Sequence, residues 1–209
     1  MARWLVIGVG GATCSGKTTL SKKLNEVLKN SRLINQDSYF FPEDDPRHTH
    51  IPELNHHNWD ILTSLDMNRM YRDVMKVVSG TNVAAKLNEP DSKPSASSCN
   101  KNEIKNLDTR ILIIDGFLIF NYKPIADLCN LKYFLTITKQ LCWERRRHRV
   151  YNPPDVPGYF DKVIWPEYEK YLKEIEKDKK LFSEINFIDG TTSKEKILQR
   201  VLDDISKIM

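Results

Sequence analysis

The chain has 209 residues, 40% of them hydrophobic and 29% charged, with a formal net charge of +4, which is enough for one sizeable core and short for two, so a single domain over 1–209 is expected. No apolar run approaches the ~20 residues needed to cross a bilayer, so a soluble globular protein without a membrane role is expected. The basic excess is mild and concentrated between Arg145 and Arg149, which suits a localised anion site better than a nucleic-acid face.

The opening MARWLVIGVGG is too short and too glycine-rich for a signal peptide, so a cytoplasmic location is expected. Cys14, Cys99, Cys129 and Cys142 form no closely spaced pair, and reduced thiols are expected rather than a zinc site or a disulfide framework.

In chain order, Trp4 to Val9 is apolar and rich in β-branched residues, a glycine-rich turn follows, and Leu20, Leu24, Val27 and Leu28 then recur at helical spacing. Arg32 to Asn35 is a second short strand that carries Gln36 and Asp37 to its carboxyl end. Leu65, Met70, Val74 and Val77 mark a helix further on. Thr81 to Asp108, with PDSKPSASSCNKN, is polar and poor in aromatics, as expected of a surface insertion without catalytic residues. Arg110 to Ile114 is continuously apolar after its first residue and ends at Asp115-Gly116, which predicts a strand covered on both faces and hence a parallel sheet. Tyr133 to Ile137 reads as a fourth strand running into a basic helix. Tyr151 to Gly158, with Pro153, Pro154 and Pro157, cannot be a regular helix and reads as a stiff connector, so a lid is expected over about 139–160. Ile185 to Ile188 is a fifth strand ending at Asp189-Gly190. Thr192 and Glu195 have capping-box spacing ahead of Ile197, Leu198, Val201, Leu202 and Ile205. The alternation predicts an α/β fold, a five-stranded parallel sheet flanked by helices, with ligands beyond the carboxyl ends of the strands.

Gly11-Ala12-Thr13-Cys14-Ser15-Gly16-Lys17-Thr18 has two glycines separated by four residues and followed by lysine and a hydroxyl, the P-loop pattern, and Thr19 continues it. Glycines let backbone N–H groups close around phosphates, the next helix presents its positive end, and Lys17 adds a mobile charge for the outer phosphates. The preceding strand and following helix supply the context that a chance glycine-rich turn would lack. Thr18 would ligate magnesium. Asp115, an ordinary strand-end aspartate in any other setting, becomes a candidate for ordering the metal and its waters beside a P-loop. Asp37 is placed to hold an acceptor hydroxyl in line and take its proton; its alternatives are loop capping or metal coordination. Arg145 and Arg149 are one helical turn apart on a segment between a strand and a proline-rich connector, which suits a phosphate lid, and Arg146 points elsewhere, towards the acceptor.

Two rival readings are weaker. Asn100-Lys101-Asn102-Glu103 has the look of a guanine-reading element of a GTPase switch, but no apolar strand precedes it. A nucleic-acid-binding protein using the arginine run would leave the P-loop unexplained.

GATCSGKTT, NQDSYF, NWDILTSLDM, ILIIDGFLIFNYKP, YFLTI, RRRHRVYNPPDVPGYFD, VIWPEY and IDGT together extend over nearly the whole chain. In these segments the sequence resembles the nicotinamide riboside kinases, within the uridine kinase-like group of P-loop kinases. The resemblance implies transfer of the γ-phosphoryl group of Mg-ATP, or of GTP in its place, to the 5′-hydroxyl of nicotinamide riboside, with nicotinic acid riboside as a further acceptor. Nicotinamide mononucleotide for NAD biosynthesis would be the product, and uridine or cytidine the runner-up acceptors. It implies a nucleotide site over Gly11 to Thr19 with Arg145, Arg149 and Asp189-Gly190-Thr191 near it, magnesium at Thr18, Asp37 and Asp115, and Lys17 and Asp37 as the catalytic pair. It further implies that Trp59 and Tyr151 flank the pyridine ring and that Asp60 and Arg146 hold the ribose hydroxyls, with Tyr39, Phe40 and Asn152 completing the acceptor site. The partner would be a small nucleoside, taken by a monomer without nucleic acid or membrane. Three positions depart from the family pattern: Asp115 replaces a glutamate, Ser38 replaces a second acidic residue, and the loop before Trp59 is long and rich in histidine.

Overall fold

The computed structural model describes residues 4–80 and 109–209. The polar insertion at 81–108, with Cys99 and the Asn100–Glu103 element, lies outside them. Strand β1 (Trp4–Gly11) leads through the P-loop into helix α1 (Lys17–Val27), and β2 (Ser31–Asn35) follows. A two-stranded hairpin, β3 (His50–Ile51) with β4 (His56–His57), lies in the histidine-rich loop, and α2 (Met67–Val78) returns the chain to the sheet. Then come β5 (Arg110–Asp115), a short α3 (Lys123–Ala126), β6 (Leu131–Thr136) and α4 (Lys139–Arg146). A single π-turn over Phe160–Ile164 opens into α5 (Trp165–Lys177), followed by α6 (Lys179–Glu184), β7 (Ile185–Asp189) and α7 (Lys194–Ile208).

The main sheet has five strands in the order β2-β5-β1-β6-β7, all parallel. Alternate side chains of β1 serve opposite faces, as the period of two requires. Leu5, Ile7 and Val9 pack with Leu20 and Leu24 of α1 and Ile197, Val201 and Ile205 of α7, whereas Val6 lies in the second core with Met70 and Val74 of α2, Ile125 of α3 and Ile175 of α5. Both faces are therefore covered, which is why Ile111 to Ile114 of β5 can be continuously apolar and buried. No helix among the described residues is long and apolar enough to cross a membrane. Cys14, Cys129 and Cys142 are free and buried.

Several expectations shift in detail. β1 runs on to Gly11 because Gly10 and Gly11 pair with Phe134 and Leu135. Val27 is 45% exposed, and Leu28, the residue after α1, takes the buried place instead. The last helix is capped by Ser193, whose hydroxyl accepts from the Lys196 N–H at 3.4 Å. Thr192 stands one residue before the cap, in the turn after β7, where its N–H donates to the Asp189 carbonyl. The basic helix stops at Arg146, and Arg149 lies in the turn beyond it, its N–H bonded to the Arg146 carbonyl, so Arg145 and Arg149 do not share a helical face. The connector from Tyr151 through Pro157 is non-helical, as three prolines require.

Gly11 fixes how closely the P-loop strand meets its neighbour. It has φ +124°, and a Cβ there would overlap the Leu135 backbone, with the nitrogen only 2.7 Å away. A Gly11→Ala chain must adopt a left-handed φ and push β6 aside, so a loss of about 2–4 kcal/mol is expected. Chemical denaturation of the two proteins measures it.

Candidate active site

The carboxyl ends of β1, β2 and β5 meet around one cleft of about 500 Å³. Its floor is the P-loop. Cys14 and Gly16 adopt positive φ of 59° and 106°, and Gly16 caps α1 without any side-chain hydrogen bond. The first amides of α1 therefore keep their donor capacity, and the positive helix end favours an anion there. The Ser15 hydroxyl and the Lys17 ammonium both donate to the Ala12 carbonyl, at 2.8 and 2.6 Å, tying the loop to itself. Burial lowers the Lys17 pKa, against the pull of Asp115 and Asp37.

Asp115 closes β5 beneath the cleft and is 1% exposed. Its Oδ2 accepts from Asn35 Nδ2 at 3.3 Å, while Oδ1, also buried, has no hydrogen-bond partner among the described residues. Burial raises its pKa, with Lys17 and the Thr18 hydroxyl acting in the opposite sense. A buried carboxylate oxygen without a donor, beside a threonine hydroxyl and a second carboxylate, has the donor chemistry of a magnesium site. No three His, Cys, Asp or Glu side chains among the described residues converge to hold a metal alone; Mg²⁺ bound with phosphates needs only one or two carboxylates.

Asp37 stands in the short 3₁₀ turn after β2, its N–H held by Asn35 Oδ1 at 2.7 Å. Its surface opens on the cleft although protein atoms crowd it from the other sides. That crowding raises its pKa, and Lys17 and Arg149 counter it. A carboxylate near two cations, somewhat more basic than usual, fits a proton acceptor.

The far end of the cleft has a different character. Trp59, Asp60, Arg146, Tyr151 and Tyr159 line it. The Arg146 guanidinium is buried and donates to both oxygens of Asp155, at 2.6 and 2.9 Å, and to the Thr13 hydroxyl at 3.0 Å. Burial works against its charge, but Asp155 and Asp60 together raise its pKa. The same guanidinium lies 4.1 Å from the Tyr151 ring centre. Trp59 packs against His48 at 4.3 Å and edge-on to Phe40 at 5.8 Å. Burial raises the Asp60 pKa to about 6, and Arg146 and the Tyr159 hydroxyl restrain the rise.

Most residues singled out in the sequence thus converge: Thr13, Cys14, Gly16, Lys17, Thr18, Thr19, Asp37, Phe40, Trp59, Asp60, Asp115, Arg146, Arg149, Tyr151 and Asn152 all line the cleft. Others do not. Tyr39 points into the core, 6% exposed, with its hydroxyl on Asp73 of α2 at 3.3 Å; in a 3₁₀ turn adjacent side chains diverge, so only its neighbour Phe40 reaches the cleft. Gly11, Ala12 and Ser15 are buried members of the loop whose atoms do not line the cleft. Arg145 donates to the Cys14 and Gly190 carbonyls at 3.1 and 3.5 Å, and the Asp189 carboxylate accepts the Thr191 N–H at 2.8 Å. Arg145 and the Asp189–Thr191 turn therefore brace the flank of the P-loop. Asp155 and Tyr159 were not singled out, although both stand in the RRRHRVYNPPDVPGYFD segment. Once Arg146 is buried it demands a carboxylate partner, and Asp155, nine residues on, supplies it.

A P-loop at the end of a central parallel strand, with lysine, hydroxyl and carboxylates in one cleft with a second compartment lined by aromatic and charged side chains, defines a P-loop phosphotransferase. Residues 6–153 match the Phosphoribulokinase / Uridine kinase family. The chain is 38% identical over 201 residues to mouse nicotinamide riboside kinase 2, covering 96% of this chain and 95% of the relative. It is 39% identical over 200 residues to human nicotinamide riboside kinase 1, covering 96% and 91%. A solved structure of a possible uridine kinase from Bacillus stearothermophilus shares the fold, with a TM-score of 0.51 at 16% identity over 85% of this chain and 87% of that one. The chain belongs to the phosphoribulokinase and uridine kinase family, in the group of the nicotinamide riboside kinases.

Proposed function

We propose that this protein transfers the γ-phosphoryl group of ATP to the 5′-hydroxyl of nicotinamide riboside, producing nicotinamide mononucleotide. The observation that carries the reading is that one cleft joins the P-loop to the Trp59, Asp60, Arg146 and Tyr151 compartment, with Asp37 lining it too. The relatives that the chain resembles over nearly its whole length are kinases of this nucleoside.

On this reading the P-loop amides and Lys17 hold the nucleotide's phosphates, and Lys17 follows the charge that builds on the transferring group. Thr18, Asp115 and Asp37 would hold a magnesium ion, which would supply neutralising charge for the phosphates. Asp37 orients the acceptor hydroxyl and takes its proton. Asp60 accepts from the ribose hydroxyls and Arg146, fixed by Asp155, donates to them. Arg149, at the edge of the cleft beyond α4, brings positive charge over the phosphates as the connector closes.

The pyridinium of nicotinamide riboside carries a fixed positive charge, and uridine does not. Trp59 and Tyr151 each keep at most one ring face for it, because His48 packs on Trp59 and Arg146 lies over Tyr151. Arg146 already occupies Tyr151 with a cation, so Trp59 is the stronger recognition surface, worth roughly 0.5–2 kcal/mol towards a cationic ring. A panel of nicotinamide riboside, nicotinic acid riboside, uridine and cytidine, assayed for ADP formation, tests the acceptor. In Trp59→Leu, kcat/KM for nicotinamide riboside should fall several-fold more than for uridine, and by more than in Tyr151→Leu. Loss of aromatic packing against Phe40 and His48 will lower the melting temperature as well, so the ratio between nucleosides decides. An unaltered ratio in both variants defeats cation recognition, and a panel favouring uridine defeats the assignment.

A further inference from the structure

We propose that Tyr159 is a positioning residue for the acceptor, its hydroxyl setting both the Trp59 backbone and the charge of Asp60 from the start of the π-turn that leads into α5. The proposal rests on the reading of Asp60 as a ribose ligand. The Tyr159 oxygen accepts the Trp59 N–H at 2.8 Å and donates its one proton to Asp60 Oδ2 at 3.1 Å. Two adjacent residues that line the acceptor end of the cleft are thus fixed by one atom about a hundred positions away in sequence. The ring that carries this hydroxyl is held fast. It is 1% exposed, belongs to the apolar cluster of Phe160, Val163 and Ile164, and meets His56 of β4 edge-on at 5.0 Å. Burial raises the phenol's pKa well beyond its ordinary value, so the proton stays on Tyr159 throughout the neutral range and the donor is always present.

Asp60 is the partner whose charge varies. Burial raises it to about 6; Arg146 of α4 and the Tyr159 hydroxyl restrain that rise, and Asp155 of the connector and Glu167 of α5 add to it. The other titratable groups facing it, Cys142 of α4 and Tyr171 of α5, are raised to about 11 and about 12 and stay neutral where Asp60 titrates. Above its pKa Asp60 is a carboxylate able to accept from ribose hydroxyls; below it the site loses that acceptor. Removing the phenolic donor disfavours the carboxylate form, so the Asp60 pKa must rise and acceptor binding must fail at a higher pH. A residue that merely filled the core would lower stability without moving this limb.

The test is kcat/KM for nicotinamide riboside from pH 5.5 to 8.5 in the wild type, Tyr159→Phe, Asp60→Asn and the double variant, with melting temperatures. Tyr159→Phe should act mainly through KM, moving the acid limb upward by about half a pH unit or more and costing on the order of tenfold near pH 6 but threefold or less near pH 8. Asp60→Asn should remove the part of the limb that belongs to Asp60 and leave the fall that Asp37 causes in kcat, and adding Tyr159→Phe to it should cost little more and leave that remaining limb unmoved. As a probe that keeps the ring and hydroxyl, 3-fluorotyrosine at position 159, a stronger donor, should shift the limb downward. The proposal is overturned if Tyr159→Phe lowers kcat/KM by the same factor at every pH, if the two substitutions multiply, or if fluorination leaves the limb unmoved. Should Asp60→Asn leave KM for the acceptor unchanged, the ribose-ligand reading itself falls; if Asp60→Asn is severe and Tyr159→Phe silent, only the role of Tyr159 does.

Discussion

Lys17→Ala is expected to lower kcat by about a thousandfold or more, with a melting temperature close to that of the parent. Lys17 is the only P-loop side chain that brings a full positive charge to the cleft, and its value lies in following negative charge as the phosphoryl group moves, which no backbone amide can do. Its loss should spare the fold. Burial already lowers its pKa, so folding disfavours the ammonium form, and that cost is present at every pH below the folded pKa. Removing the charge relieves this cost, which offsets the lost bond to the Ala12 carbonyl. Single-turnover ADP formation and a thermal melt on the same preparation check both halves. A fully active Lys17→Ala protein would sink the phosphotransferase reading.

Asp37→Asn should reduce turnover by about a hundredfold or more, roughly 3 kcal/mol of barrier, because the amide keeps the size and loses the base. The pH profile gives the sharper check. Crowding raises the Asp37 pKa above the ordinary carboxylate value against the pull of Lys17 and Arg149. Below that pKa the group is protonated and cannot take the acceptor's proton, so wild-type kcat should fall as pH drops through it. In Asp37→Asn that limb of kcat should vanish, while the limb of kcat/KM that belongs to Asp60 remains. Unchanged turnover at saturating nucleoside would reduce Asp37 to a bystander.

Local pattern carried a good part of the fold. The continuous apolar run of β5 and the glycine-rich turn after β1 are consequences of burial on both faces and of phosphate-loop geometry, and each leaves its mark within a few residues. α5 is not among the predicted elements although Tyr168, Tyr171, Leu172 and Ile175 have helical spacing; Pro166 lies in its first turn, where it costs no hydrogen bond. The hairpin His50–Ile51 with His56–His57 is too short for periodicity to register. Arg149 was assigned to a helix that ends three residues earlier, a boundary that propensity does not fix.

The sequence by itself determined that a P-loop precedes a helix in a parallel α/β chain and that carboxylates follow the second and third of its predicted strands, because those features depend on residues adjacent along the chain. Only the tertiary structure decided that Tyr39 turns into the core while Phe40 faces the cleft, that Arg145 braces the P-loop through the Cys14 and Gly190 carbonyls, and that Asp155 and Tyr159 stand behind Arg146 and Asp60. Side-chain direction in a turn and the partner of a buried charge depend on how folded segments pack against one another, and that packing forms only when the strands have fixed their order.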